Sequence, residues 1–399
     1  MKCKITSEKI KPFMTFGKMP LANGFLDKRD FDSEFSYEME VGFSEKVSLF
    51  QLNDFPNPKK IFNDKYPFFS GSSEYMKTHF NKYAEWLKRD YLKSDSKLIE
   101  IGSNDGTLLK NFIKTDVNYI GFEPSKSVAD EAIKNNIKTV NTFFNTETIQ
   151  NFKEFKKNTN VICAANVVCH VPNLKNLISS VDELLASNGV FVFEEPYLGS
   201  MFSKVSYDQI YDEHIFMFSL TSIKKIFNLF DFDLMDAFPL PTHGGSMRYI
   251  VGRKNKHKVN SRVQKGLDLE KKQKLDDLQS CLEFKKKCEI SKEKVSDYLK
   301  KLKKEGKKIC GYAATSKSTT ILNYCNLDTN IIDFICDTTN EKIGKFSPGV
   351  HIPIVPISHF HKNLPDVAYL FAWNHKDEIF SKEKEFIKKG GKWFSHVAL

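Results

Sequence analysis

The chain has 399 residues, enough for two or three domains, with 41% hydrophobic and 28% charged residues, a globular balance that excludes a disordered chain. Its net charge of +10 comes mostly from lysines spread along the sequence, which favours solubility and anionic ligands and argues against nucleic-acid binding. No apolar run approaches the roughly 18 residues of a spanning helix, so no membrane insertion is expected. Met1-Lys2-Cys3-Lys4 leads straight into polar sequence, and the 8 cysteines include no Cys-x-x-Cys pair; together they suggest reduced thiols in a cytoplasmic protein.

Residues 1–75 are turn-rich and aromatic. Phe35–Val41 and Val47–Leu52 alternate with period two and should pair as strands, in a module small enough to lean on the next domain. Residues 76–255 hold a different pattern. An amphipathic helix over about 76–95 leads into Leu98-Ile99-Glu100-Ile101, then the turn Gly102-Ser103-Asn104-Asp105-Gly106, with a helix expected to open at Thr107. A second apolar run ends at Glu123, a third near Asn166, and a fourth, from Gly189, ends in Glu194-Glu195, with helices expected over Ser125–Asn135 and Asn173–Ala186. Strands alternating with helices predict an α/β fold, a doubly wound parallel sheet whose ligands sit at the carboxyl ends of the strands. Residues 256–399 begin with a lysine-rich helical linker. The α/β alternation then restarts at Ile309–Ala314, with further strands at Ile331–Asp337 and Val367–Trp373.

The glycine-bearing acidic turn lacks the three-glycine pattern that seats a pyrophosphate on a helix N-terminus, and Asp105 would repel one. A cationic or zwitterionic nucleoside fits better, and S-adenosylmethionine (SAM) is the candidate cofactor. Glu100, Gly102, Asn104 and Asp105 would shape its methionine end, Glu123 would grip its ribose, and Asn166 would lie beside the sulfonium. Tyr197 and Tyr207–Phe216 carry the densest chemistry. His214, flanked by carboxylates and tyrosines, suits a general base, and a tyrosine hydroxyl can donate to a developing oxyanion. His170 follows a strand end. His243 opens His-Gly-Gly-Ser-Met-Arg, where Arg248 could grip a phosphate or carboxylate. Lys317, at a helix N-terminus, makes a second anion site without being a Walker loop. The histidine spacings offer no metal-ligand pair, so no metal is expected.

The succession E-I-G-S-N-D-G, A-N-V-V-C-H-V-P-N-L, E-E-P-Y-L-G, Y-D-Q-I-Y-D-E-H, H-G-G-S-M-R and G-Y-A-A-T-S-K-S-T-T resembles the SAM-dependent nucleotide-sugar C-methyltransferases. The resemblance implies a class I methyltransferase core between a small N-terminal substrate-covering module and a C-terminal Rossmann-like domain. It implies that His214 removes the proton alpha to the keto group of a nucleotide-linked 4-keto-6-deoxy sugar in surface-glycan or deoxysugar biosynthesis. Tyr211, Glu213 and His170 match supporting positions, and Tyr66 a tyrosine reaching in from the N-terminal module. Tyr197, His243, Arg248 and Lys317 are then the expected substrate contacts. A sugar O-methyltransferase, or a SAM- or nucleotide-binding protein without methyl transfer, are the alternatives. One departure stands out: family members hold a four-cysteine zinc site near the N-terminus, and here Cys3 is the only cysteine before Cys163.

Overall fold

The computed structural model describes residues 1–64 and 68–399. Three sheets organise it. The strands in chain order are β1 (Pro12–Pro20), β2 (Ser36–Ser44), β3 (Leu49–Leu52), β4 (Lys97–Ile101), β5 (Asn118–Phe122), β6 (Thr139–Val140), β7 (Thr159–Ala165) and β8 (Leu185–Pro196). They continue with β9 (Phe216–Met217), β10 (Phe232–Leu240), β11 (Ser246–Arg253), β12 (Ile309–Tyr312), β13 (Ile335–Asp337), β14 (Ile354–Pro356), β15 (Val367–Leu370) and β16 (Lys392–Phe394).

The central sheet has the order β10-β11-β8-β7-β4-β5-β6. Strands β4 to β8 run parallel, and β10 and β11 add an antiparallel edge. From β4 the chain winds outward through β5 and β6, then returns to lay β7 and β8 on the other side. The switch point between β4 and β7 opens the crevice where such sheets take their ligands. Period-two alternation sorts each strand's side chains between two cores. Ile99, Ile101, Ile162, Ala164, Phe191 and Phe193 face the helices Leu174–Leu184 and Leu220–Asn228. Leu98, Val161, Cys163, Val190 and Val192 face Phe80, Tyr83 and Leu87 of the helix Glu74–Asp90. Near-continuous apolar strands are what a sheet covered on both faces requires.

The N-terminal sheet, β1-β2-β3-β9, is antiparallel and borrows its last strand from residues immediately after His214. The pairing of β2 with β3 matches the expectation from the alternating segments. Phe13, Phe16, Val41 and Phe50 of this sheet share one core with Cys281 and Phe284 of the long helix Leu278–Lys304 and with Ile321 and Tyr324 of the C-terminal domain. That domain is an all-parallel sheet in the order β14-β13-β12-β15-β16.

Local expectations differ in several places, and the strand expected over Ile331–Asp337 forms only at Ile335–Asp337. The segment after the acidic turn is a short 3-10 turn, Leu109–Phe112, rather than a helix opening at Thr107. Asp105 accepts the Thr107 hydroxyl at 2.6 Å, a local side-chain bond of the kind that competes with helix. Strand β1 carried no clear alternation and was not expected. The stretch around Arg248 is a central strand, β11, rather than an open glycine-rich loop.

Candidate active site

A cleft of about 370 Å³ opens at the carboxyl ends of β4, β5, β7 and β8. Gly102, at φ 66°, makes the turn after β4, and a Cβ there would run into the Val167 side chain. Glycine is therefore required both for the backbone and for the space. Glu123, at the end of β5, accepts the Asn104 N–H (3.0 Å) and the Ser125 N–H (2.8 Å) while facing the cleft. Its carboxyl is raised above the usual range, chiefly by burial. Glu100 forms part of the floor, with Oε2 buried and unpartnered. Burial first, then the neighbouring Asp105 and Glu123, push it well above its ordinary value. Asn166 turns the chain after β7 at φ 58°, and its Oδ1 is also unpartnered.

Three carboxyl groups around apolar walls that include Ile101, Phe122, Phe143 and Phe144 suit a ligand with a cationic end and an aromatic one. The unpartnered Glu100 and Asn166 oxygens are buried polar atoms that a bound ligand would satisfy. SAM has both the charge and the aromatic base, and the residues present fit it. Asn104 and Asp105 are used differently from the expected direct shaping of the methionine end. The Asn104 Oδ1 accepts the Ser70 N–H (2.8 Å), its Nδ2 donates to the Phe68 carbonyl (3.1 Å), and the Asp105 Oδ2 accepts the Gly71 N–H (2.7 Å). They pin the chain 68–71 across the cleft mouth.

Comparison with known proteins fits this geometry. A model of a methyltransferase domain matches residues 74–237, and one of a C-methyltransferase C-terminal domain matches residues 241–398. A domain described as zinc-binding matches residues 3–62. C-methyltransferase NovU of Streptomyces niveus is 27% identical over 383 residues, covering 95% of this chain and 91% of that protein. The chain is a SAM-dependent methyltransferase with a C-methyltransferase C-terminal domain. Among solved structures, magnesium protoporphyrin IX methyltransferase from Synechocystis with bound SAM is 12% identical, covering 45% of this chain and 79% of that one, with a TM-score of 0.35. The PH0226 protein from Pyrococcus horikoshii is 13% identical, covering 50% of this chain and 100% of that one, with a TM-score of 0.38.

In this enzyme the zinc-binding module has lost its donors. Residues 3–62 contain one cysteine and no histidine. Cys3 is buried in a core with Ile5, Val47 and Leu49, and its sulfur accepts the Thr6 N–H at 3.4 Å. The Gln51 side chain joins strands by accepting the Lys4 N–H and donating to the Lys2 carbonyl, each at 3.0 Å. These residues do not fit a zinc ion held by thiolates.

Beside the cleft lies the cluster around His214. His214 is 3% exposed; its Nδ1 is 2.7 Å from the Gln209 carbonyl and its Nε2 is 2.7 Å from the Tyr211 hydroxyl. A carbonyl only accepts, so Nδ1 carries the proton and Nε2 presents a lone pair to the phenol. Burial, then His170, hold the imidazole well below its usual value, so it is neutral and able to accept a proton. Burial likewise keeps the Tyr211 phenol protonated.

His170 lines the cleft and lies near-parallel to His214, ring centres 5.3 Å apart. Its Nε2 is unpartnered, and burial pushes it down to about 3. The Glu213 Oε1 accepts the Asn23 Nδ2–H at 2.6 Å, tying the His214 segment to the N-terminal module. The ligand atoms of Cys169, His170 and His214 come within 4.8 Å of one another. However, burial and then Glu195 hold the Cys169 thiol protonated, the form that does not ligate.

The expected substrate contacts divide. His243 lines the cleft and is pushed down to about 3 by burial, then by Lys317. Lys317 is buried, with Nζ 2.9 Å from Asn374 Oδ1 and 5.0 Å from the centre of the Trp373 ring. Arg248 is committed elsewhere. Strand pairing sets it directly opposite Glu194, and its Nε donates to Glu194 Oε1 at 2.6 Å under the Tyr83 ring. Tyr197 donates to Glu270 Oε1 at 2.9 Å, away from the cleft. Tyr66 lies outside the described residues.

Glu195 is an addition that sequence reading left as a mere acid at a strand edge. Its Oε1 accepts the Val167 (3.1 Å) and Val168 (2.6 Å) N–H groups, fixing the turn that carries His170.

Proposed function

We propose that the enzyme methylates the carbon alpha to the keto group of a nucleotide-linked 4-keto-6-deoxy sugar, with His214 as the base. The observation that carries this reading is the fixed tautomer of His214, a neutral imidazole whose Nε2 lone pair is buried beside the cofactor cleft. Bound SAM supplies an electrophilic methyl on a sulfonium. His214 Nε2 takes the alpha proton, and the C–H electron pair moves onto the carbonyl oxygen. An alpha proton is acidic enough only when that oxygen is stabilised, so base and donor must act together. The Tyr211 hydroxyl, already hydrogen-bonded at Nε2, is the nearest donor for the oxyanion. Collapse of the oxyanion would let the alpha carbon take the methyl that SAM supplies, the C–S electron pair staying on sulfur and leaving a neutral thioether. His170 walls the chamber between base and cleft, and Glu213 and Asn23 hold the base segment under the N-terminal module.

Lys317 supports the anionic part of the reading. Its ammonium is buried against a neutral acceptor, Asn374, and a bound phosphate would complete its charge. His243 lies between this lysine and the cleft, where the sugar would bridge the two. The reading places the enzyme in the cytoplasm, in assembly of a surface glycan or deoxysugar.

The test is mass spectrometry of a panel of nucleotide-linked 4-keto sugars incubated with SAM and the enzyme. Gain of one methyl, located on carbon by NMR and lost in His214→Asn while SAM still binds, is the expected result. Methyl transfer at the native rate by that variant removes His214 as the base. An ether product assigns the enzyme to O-methylation instead.

A further inference from the structure

The base segment is held from an unexpected direction, the far end of the chain. Asp208, next to the residue whose carbonyl fixes His214, is fully buried. Its Oδ2 accepts the indole N–H of Trp373 at 2.6 Å, and its Oδ1 lies 3.2 Å from Nε2 of His396, an ion-pair contact outside hydrogen-bond geometry in which neither atom has a hydrogen-bond partner among the described residues. His396 belongs to the tail after β16 and has its own support. The Tyr369 hydroxyl accepts the His396 backbone N–H (3.2 Å) and lies 3.1 Å from its Nδ1. If Tyr369 donates to Nδ1, the remaining ring proton is on Nε2, the atom turned to Asp208. The His396 ring also packs on Tyr207, with centres 4.9 Å apart. One residue beyond Gln209, the Ile210 carbonyl accepts the Thr320 hydroxyl at 2.9 Å. The turn Tyr207–Gln209 is therefore gripped by the C-terminal domain on one side. On the other side it delivers one carbonyl to Nδ1 of His214.

We propose that His396 is a positioning residue for the base. By holding Asp208 it fixes the turn whose Gln209 carbonyl selects the tautomer of His214. The proposal rests on the reading of His214 as the base. It assigns the C-terminal tail a part in proton removal, without contact with either substrate. Loosening this anchor lets the Gln209 carbonyl drift. His214 then samples the tautomer with its proton on Nε2, which cannot accept another there, and the ring leaves its reactive position. Displacements of this order cost up to about a hundredfold in rate.

Two readings on the full-length enzyme test it. The first is ring-nitrogen NMR of His214 without ligands. The native protein should show the proton on Nδ1 alone, His396→Ala a mixture, and His396→Gln, which keeps a polar N–H group facing Asp208, the native pattern. The second is deuterium wash-in at the alpha carbon of a nucleotide-linked 4-keto-6-deoxy sugar in D2O without SAM, which follows proton removal alone. His396→Ala should slow it roughly tenfold or more while leaving SAM affinity unchanged, and His396→Gln should restore most of it.

An unchanged His214 tautomer in His396→Ala overturns the proposal, as does loss of SAM affinity in parallel with wash-in. Wash-in that survives His214→Asn refutes the base reading instead, and the NMR comparison still decides whether His396 positions the ring.

Discussion

Glu195→Gln isolates a cost that the enzyme carries beneath its active site. Glu195 is 1% exposed, and burial pushes its carboxyl from the ordinary 4.5 up to about 7, against the opposing pull of the Cys169 thiol and the Val167 and Val168 N–H groups. Because the folded value is the higher one, the native state holds this proton more tightly than the unfolded chain does. Stability linked to Glu195 is therefore greatest below about pH 4.5 and falls as pH rises towards 7. At about 1.4 kcal/mol for each tenfold difference, the full loss is roughly 3 kcal/mol. Glutamine keeps a carbonyl acceptor for the two N–H groups and has no proton to lose. Thermal melts of the two proteins at pH 5 and pH 8 read the difference directly. The native enzyme should lose about 2.5 kcal/mol more than the variant between those pH values, which is several degrees of melting temperature even in a large domain, the rest of the loss falling below pH 5. Equal pH dependence in both proteins would refute the assignment of a buried, proton-holding carboxyl at this position.

Two other outcomes are expected of the same structure. Glu100 is held well above its ordinary value by burial and two neighbouring carboxyls, so the positive charge of SAM should drive off its proton. Calorimetry in buffers of different ionisation enthalpy should show proton release on SAM binding near pH 7 in the native enzyme, and a clear loss of that release in Glu100→Gln. The N-terminal module should hold no zinc: elemental analysis of the purified protein and melting with and without a strong chelator should show no zinc and no shift in melting temperature.

The parts of this enzyme that were legible in the sequence are those written in contiguous residues. The Gly102 turn, Glu123 and the apolar strands each carry their signal within a few positions, because strand burial and turn geometry are local demands. His214 and Tyr211 are three residues apart, so their meeting could be anticipated. What stayed hidden depends on pairing at long range. Arg248, a few residues after Gly244-Gly245, read as a grip for a substrate phosphate or carboxylate, yet the register of β11 against β8 sets it opposite Glu194. Tyr197 is taken by Glu270, a residue of the helical linker that read only as a charged face. Trp373 and His396 meet Asp208 across more than 160 residues of chain, and no periodicity announces such a contact.

The borrowed strand β9 has a consequence during synthesis. Strand β3, Leu-Phe-Gln-Leu, ends at Leu52, and the partner for its second edge begins only at Phe216. At ribosomal rates the edge waits roughly 10–30 s for that partner. An apolar edge left open for so long is a template for wrong pairing with another nascent chain. The same pairing that closes this edge sits two residues beyond His214, so the His214 segment can be drawn into place only when the N-terminal sheet is completed. Newly made chains whose first sheet pairs wrongly should therefore be inactive as well as sticky, and the cell's holding chaperones would meet this enzyme through its first sixty residues.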